Sequence, residues 1–207
     1  MTYRLQNKKT LIIISGGSGT GKSTTAKELL SRIEDRITVL SYDDIKEAAW
    51  DKTGFDNAEQ KKLLDGASLL RFYEILDETM TGGVPVVIEY PFYQYHRDEL
   101  ERLVKKNGYD AVTVYLHTDP QTAYENGVLR DNAGARHPGH LLTSYHKETF
   151  RPSDLDEQVR HVQTYEEFLE FISGRNYNVG LGKVIDVDVT AFGTISYDRI
   201  AKEVCGG

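Results

Sequence analysis

Residues 14–26 read ISGGSGTGKSTTA. Four glycines and seven hydroxyl or lysine side chains fill thirteen positions, directly after the apolar run Leu11 to Ile14. Within this stretch Gly16-x4-Gly21-Lys22-Ser23 fits the phosphate-loop pattern G-x-x-x-x-G-K-[ST]. Glycines let the backbone curl so that successive N–H groups of Gly17, Ser18, Gly19, Thr20 and Gly21 point inward at an anion. The amino terminus of a helix beginning near Lys22 adds a partial positive charge. Lys22 is a mobile cation for the outer phosphates. Ser23 is placed to ligate Mg²⁺, and Thr24 continues the first helical turn. The chemistry implied is binding a nucleoside triphosphate and acting on its terminal phosphate.

Three uses of that phosphate compete. A GTPase carries an N-K-x-D motif after a later strand. The chain's one Asn-Lys pair is Asn7-Lys8, before the first strand. A motor or transporter ATPase takes an arginine from a neighbour and needs a helical domain that 207 residues hardly accommodate. A small-molecule kinase needs a second pocket, a carboxylate facing it and an arginine-bearing lid. Carboxylates stand at the ends of two strand-like runs, in SYDDIK (41–46) and in VPVVIEY (84–90). Strand carboxyl ends face the ligand crevice of an open α/β sheet. A carboxylate such as Asp43 in reach of the γ-phosphate can take a hydroxyl proton, while Asp44 is expected to cap a helix starting at Ile45. The aromatics Tyr90, Phe92, Tyr93 and Tyr95 follow Glu89 and could stack on a ring-shaped acceptor or pack in the core.

The elements that must position these residues alternate. Strand-like runs cover 10–15, 37–41, 84–90, 110–117 and 183–189. Most are continuously apolar, as suits strands covered on both faces. Helical candidates cover 22–35, 57–81, 96–107, 119–131, 141–149, 155–173 and 195–204. The alternation predicts an α/β fold: one three-layer domain over residues 1–207, with a parallel sheet of five strands behind the phosphate loop. Residues 131–160 break it. They are polar (DNAGARHPGH, later RPSDLDEQ), and predict a lid or binding loop rather than core. His137 and His140 lack a third ligand at useful spacing, which argues for hydrogen bonding over metal.

The totals set outer limits. Hydrophobic residues are 39% and charged residues 28%, as in a soluble globular protein. The net charge of −7 predicts no general nucleic-acid binding. No apolar run approaches the ~20 residues of a membrane span. The single cysteine, Cys205, permits no intrachain disulfide and suits a reducing compartment. With no apolar leader in MTYRLQNKK, cytoplasm is the expected location.

With these residues in view, the chain resembles the small P-loop kinases that phosphorylate a hydroxyl, the group of polynucleotide kinase, chloramphenicol phosphotransferase and the zeta toxins. The resemblance is strongest at GGSGTGKST and spans nearly the whole chain in element order. It implies a P-loop kinase fold with strand order 2-3-1-4-5 and a helical lid, ATP and Mg²⁺ as cofactors, and a small-molecule or nucleotide-like acceptor. Such kinases carry Asp-Asp-x-Arg after the second strand. Asp43 would be the base, with Asp44 and Lys46 on the substrate side, Lys46 standing where the group has Arg. Glu89 would serve the metal or the acceptor, with Tyr93 and Arg97 beside the acceptor. In VLRDNAGARHPGH, Arg130 would pack on the nucleotide base and Arg136 would reach the transferred phosphate. Thr190 and Phe192, in VDVTAFGT, would edge the adenine. The RHPGH pattern is familiar from ATP-binding proteins of this kind.

Overall fold

The structure, a computed structural model, describes residues 2–134, 136–157 and 164–206. Five strands form one parallel sheet: β1 (Thr10–Gly16), β2 (Thr38–Ser41), β3 (Val86–Glu89), β4 (Asp110–His117) and β5 (Lys183–Asp188), in the order β2-β3-β1-β4-β5. This is the expected order. Parallel neighbours need crossovers, and helices supply them: α1 (Lys22–Leu30), α2 (Tyr42–Thr53), α3 (Ala58–Thr81), α4 (Arg97–Asn107), α5 (Pro120–Asn132), α6 (Asp154–Glu157), α7 (Tyr165–Ile172) and α8 (Tyr197–Val204).

β1 is central and buried along its whole length, and its alternation feeds two cores. Ile12 and Ile14 pack with Leu29, Val114, Ile200 and Val204 on the α1/α8 face. Leu11 and Ile13 pack with Phe72, Leu76, Ile88 and Leu100 on the α3/α4 face. Each fully buried aliphatic side chain contributes about 1.5–3 kcal/mol, so β1 is the most firmly held element beneath the phosphate loop. The register then aligns the strand ends. Ile14 pairs with Glu89, and Glu89 with Ser41. The β1–α1 loop, the end of β3 and the β2–α2 junction therefore open on one edge.

Three expectations need correction. The segment 141–149 is not a helix. Phe55 and Tyr145 exchange two backbone hydrogen bonds of 2.8 Å each, an antiparallel bridge that draws the chain out across the end of α2. Residues 155–173 hold two helices, α6 and α7, with 158–163 outside the described residues. And α2 starts at Tyr42, not Ile45, because Ser41 caps it: its hydroxyl accepts from the Asp44 N–H at 3.3 Å. Asp44 is thus a first-turn acid and not the cap.

The insertion is also less polar in effect than in composition. Leu142 and Tyr145 are buried with Trp50 and Phe55 in a third, smaller core, backed by Leu64, Phe150 and Leu155. Residues 137–150 are therefore packed onto α2 and the start of α3. Among the described residues no helix is long and apolar enough to cross a membrane.

Candidate active site

The phosphate loop is shaped by glycines at two positions where no other residue fits. Gly19 has φ 79°, and a Cβ there would stand 2.1 Å from the Ala123 carbonyl oxygen of α5. Gly21 has φ 76° at the helix cap, and a Cβ would stand 2.6 Å from the Phe192 ring. Asn126 of α5 donates to the Gly19 carbonyl at 3.1 Å, and Thr20 donates to that of Gly17 at 2.9 Å. Gly16, Gly17 and Ser18 complete the curl. Ser23 and Thr24 lie exposed on the first turn of α1.

Lys22 lies over the loop, its Nζ donating to the Gly17 carbonyl at 2.8 Å. Burial lowers its pKa to about 8; Asp43 and Glu89 work against that shift, while Arg130 and Arg136 add to it. The environment thus disfavours a lone ammonium and becomes favourable when a polyphosphate arrives. The Ser23 hydroxyl lies 2.9 and 3.1 Å from the two Glu89 carboxylate oxygens. Burial raises the Glu89 pKa, with Ser23 and Lys22 opposing. A serine hydroxyl and a carboxylate are hard oxygen donors, and Mg²⁺ typically takes one or two protein ligands and fills the rest of its shell with phosphate and water. A cation would also stabilise the buried Glu89 in its charged form. On donor chemistry the pair fits magnesium.

On the far side of this loop stands the first turn of α2. The Asp43 carboxylate pairs with Lys46 Nζ at 2.7 Å, one turn along the helix. Burial pushes the Asp43 carboxyl up. The Lys46 charge and hydrogen bond, with smaller help from Lys22, outweigh it and hold the group below the usual carboxylate range. Lys46 is itself 7% exposed, its ammonium 5.0 Å from the Tyr42 and Tyr90 ring centroids and 5.4 Å from that of Trp50.

The lid residues meet at Asp131. Arg130 Nε reaches its carboxylate at 2.9 Å and an Arg136 terminal nitrogen reaches the same oxygen at 3.0 Å. Arg136 Nε is buried with no hydrogen-bond partner. His137 and His140 do pair within the protein: His137 Nε2 with Asp51 at 3.0 Å, and His140 Nε2 with Glu47 at 2.9 Å. His140 is buried, which pulls its pKa down to about 3, so it is neutral at ordinary pH.

Two acceptor-side expectations change. Arg97 donates to the Val179 carbonyl at 2.8 Å and to that of Gly180. It clamps the loop before β5, because its place at the start of α4 points it at that loop, and it is not free to bind an acceptor. Tyr93 stacks on Tyr95 and His96, and its hydroxyl accepts from Arg175 at 2.7 Å. Of the other aromatics, Phe92 is fully buried, Tyr90 contributes to the Lys46 cage and Tyr95 is exposed. Thr190 bonds Thr118 at 3.1 Å, and Phe192 lies partly exposed against Gly21 at the nucleotide end.

The sequence reading missed a face of α2. Lys46 and Trp50, and Glu47 and Asp51, are i,i+4 pairs. The spacing is legible in DDIKEAAWDK for a helix starting at Ile45 or at Tyr42, but nothing local shows that this face meets Gly139, His137 and Tyr145, about 90 residues on. Trp50 is fully buried, its indole N–H donates to Asp65 at 2.9 Å, and a Cβ on Gly139 would stand 2.5 Å from its ring. Asp51 takes Tyr145 OH at 2.7 Å and Lys147 Nζ at 2.5 Å as well as His137. Burial would raise its carboxyl, but the three donors, Lys147 foremost, bring it to about 2. Its folded pKa is depressed, so its contribution to stability is present above about pH 4 and lost as pH falls toward 2. Asp51→Asn should lower the melting temperature at pH 7, and the difference from the unaltered protein should shrink as the pH is lowered through that window. Equal melting curves at pH 7 would show that Asp51 does not hold the lid.

Known proteins place this arrangement. Solved structures share the fold along nearly the whole chain. A candidate kinase from Chloroflexus aurantiacus J-10-fl is 23% identical, with 95% of this chain and 97% of that one covered and a TM-score of 0.69. The Mycobacterium tuberculosis APS kinase CysC is 16% identical, with 96% of each covered and a TM-score of 0.55. The Deinococcus radiodurans tunicamycin resistance protein is 15% identical, with 95% and 93% covered and a TM-score of 0.51. No curated protein matches the sequence. The profile described as AAA domain matches residues 11–150, from β1 through the lid residues packed on α2. A phosphate loop on a 2-3-1-4-5 parallel sheet, matched over most of its length, settles the family: the chain belongs to the AAA domain family and has the kinase-like P-loop fold.

Proposed function

We propose that the protein transfers the γ-phosphate of ATP, with Mg²⁺, to a hydroxyl group of a small-molecule or nucleotide-like acceptor. The observation that carries this is the company Lys22 keeps. Its charge is felt by a carboxylate from the β2–α2 junction, one from the end of β3, and two arginines from α5 and the lid. Phosphoryl transfer needs positioning and neutralisation of charge more than covalent chemistry. In this reading Lys22, Arg130 and Arg136 neutralise the phosphates, and Asp43 accepts the acceptor's hydroxyl proton. The acceptor O–P bond forms as the bond from the γ-phosphorus to the β–γ bridging oxygen breaks; ADP leaves, and the proton rests on Asp43. Ser23 and Glu89 would hold magnesium, which would supply further charge neutralisation to the phosphates. The APS kinase of like fold was solved with AMPPNP, an ATP analogue, which supports an adenine nucleotide here.

A nucleoside monophosphate acceptor is less well supported. It would need several arginines in the acceptor pocket. Arg71 pairs with Glu74 at 2.9 Å on the exposed face of α3, and Arg97 is held by the 179–180 carbonyls. An oligomeric ATPase, which borrows an arginine from a neighbour, is also less well supported, since both arginines near Lys22 belong to the same chain. The test is ADP release with ATP and a panel of alcohols, sugars, nucleosides and nucleoside monophosphates. Acceptor-dependent release with a hydroxyl compound is expected. Tight ATP binding with no acceptor-dependent release across the panel would instead favour a nucleotide-sensing module.

The two arginines should separate in kinetics. Arg136, whose Nε has no partner, should reach the phosphate on closure, so Arg136→Ala should lower kcat far more than it weakens ATP binding. Arg130→Ala should mainly weaken ATP binding. Titration of ATP alongside steady-state rates checks both, and exchanged phenotypes would reverse the assignment.

A further inference from the structure

Lys46 stands where hydroxyl kinases of this resemblance keep a substrate-holding arginine, yet its surroundings leave little for a substrate. Its ammonium is spent on Asp43 at 2.7 Å and lies among three aromatic rings at 5.0–5.4 Å. The negative faces of these rings attract the ammonium and hold it in place. At 7% exposure, Lys46 has almost no surface to offer an acceptor. We propose that Lys46 is a positioning residue, which holds Asp43 ionised and fixed in direction and does not itself bind the acceptor.

The cage explains why a lysine serves. A compact ammonium can be surrounded by ring faces and still donate to one carboxylate. A planar guanidinium would present further N–H groups that Tyr42, Trp50 and Tyr90 faces leave unsatisfied. The other groups around Asp43 divide by sign. Lys22 of the phosphate loop and Arg136 of the lid favour its ionised form. His140 of the lid lies close but is held neutral by burial. Glu89 of β3, Asp65 of α3 and Glu47 of α2 each feel Asp43 as a like charge and so oppose it. Lys46 has the only direct ion pair to Asp43 among the described residues. Without it, a half-buried carboxylate would face three like-charged neighbours with only more distant cations in support.

This proposal rests on Asp43 being the base, so its test has a readout that does not need turnover. Lys46→Met keeps an apolar stem in the cage and removes the charge. Lys46→Arg keeps the charge. The Asp43 carboxyl is followed by ¹³C NMR in aspartate-labelled protein, its signal assigned by its loss in Asp43→Asn. In Lys46→Met its pKa should rise by roughly 1–3 pH units, the usual effect of removing an opposite charge at contact. The acid limb of the kcat/KM profile should rise with it, while KM for the acceptor on the plateau stays within about twofold. Lys46→Arg keeps a cation against Asp43 and should leave both titrations near those of the unaltered protein, while the N–H groups that the rings leave unpaired lower its melting temperature. The proposal is overturned if the Asp43 titration is unmoved in Lys46→Met. It is overturned equally if the acceptor KM rises tenfold or more there, or if Lys46→Arg tightens the acceptor, since a fork would improve a true substrate contact. Should the methionine variant not fold, the arginine variant's acceptor KM decides. A carboxyl titration that moves while the acid limb stays put would support the pairing and refute Asp43 as base, so the two failures are distinguishable.

Discussion

Lys22→Ala should lower the rate of phosphoryl transfer by about 10²–10³, the loss typical of one charge-stabilising contact in a low-dielectric site. The fold should survive. The Lys22 side chain donates one hydrogen bond, to the Gly17 carbonyl, and that carbonyl also accepts from Thr20. Burial already holds the ammonium at a pKa near 8, so its removal relieves a desolvation cost rather than exposing a cavity. The same depression gives a second signature. Because ATP should bind the charged lysine, ATP affinity of the unaltered protein should fall as pH rises through about 8, and Lys22→Ala should abolish that dependence. ADP release at saturating acceptor, ATP titration at several pH values and a melting curve check the three claims. Near-normal turnover in Lys22→Ala would remove the phosphate loop from the mechanism.

Asp43→Asn should cut transfer to the acceptor by roughly 10²–10⁴, the range for loss of a general base, with ATP affinity nearly unchanged. Asparagine keeps the shape and can still accept from Lys46 at the 2.7 Å contact, but it cannot take a proton. Its place in the first turn of α2 sets it at the strand-end crevice and away from Thr190 and Phe192, which stand at the nucleotide end. Asp44→Asn should do far less. Ser41, not Asp44, caps the helix, so Asp44 contributes only a first-turn charge, worth about 0.3–1 kcal/mol. If Asp44→Asn abolished activity and Asp43→Asn did not, the roles of the two aspartates would be exchanged. If neither mattered, the hydroxyl-kinase reading would fall.

The sheet was legible because its strands carry their own signal. Leu11 to Ile14 is apolar at every position since both faces are covered, and Gly-Lys-Ser follows at a turn that delivers a helix amino terminus. Glu89 and Asp43 stood out as candidates because strand ends share an edge, a property of the fold and not of the side chains. The lid was harder. LLTSYHKET has helical spacing in Leu141, Tyr145 and Lys147's neighbours, but the Phe55–Tyr145 bridge lies 90 residues apart in the chain and no local pattern announces it. Arg97 follows the same logic: at the start of α4 it could face either the crevice or the 179–180 loop, and only the packing of that loop decides. Trp50 was missed for the same reason, since the Gly139 backbone it receives lies 89 residues further along the chain.

α2 carries Asp43 on its first turn and, two turns on, Trp50 and Asp51, which seat Gly139, His137 and Tyr145. The first turn of α2 and the lid segment are therefore held as one piece. A recombinant in which the lid of a relative replaces residues 131–150 would bring a new tip to Trp50 and Asp51 that those residues were not built to receive, and would disturb the helix that aims Asp43. A swap that includes residues 42–56 keeps the clasp intact. For anyone reshaping the specificity of this protein, the exchangeable unit is discontinuous in the chain: two segments with α3, β3, α4, β4 and nearly all of α5 between them, joined through Trp50, Asp51 and the Phe55–Tyr145 bridge.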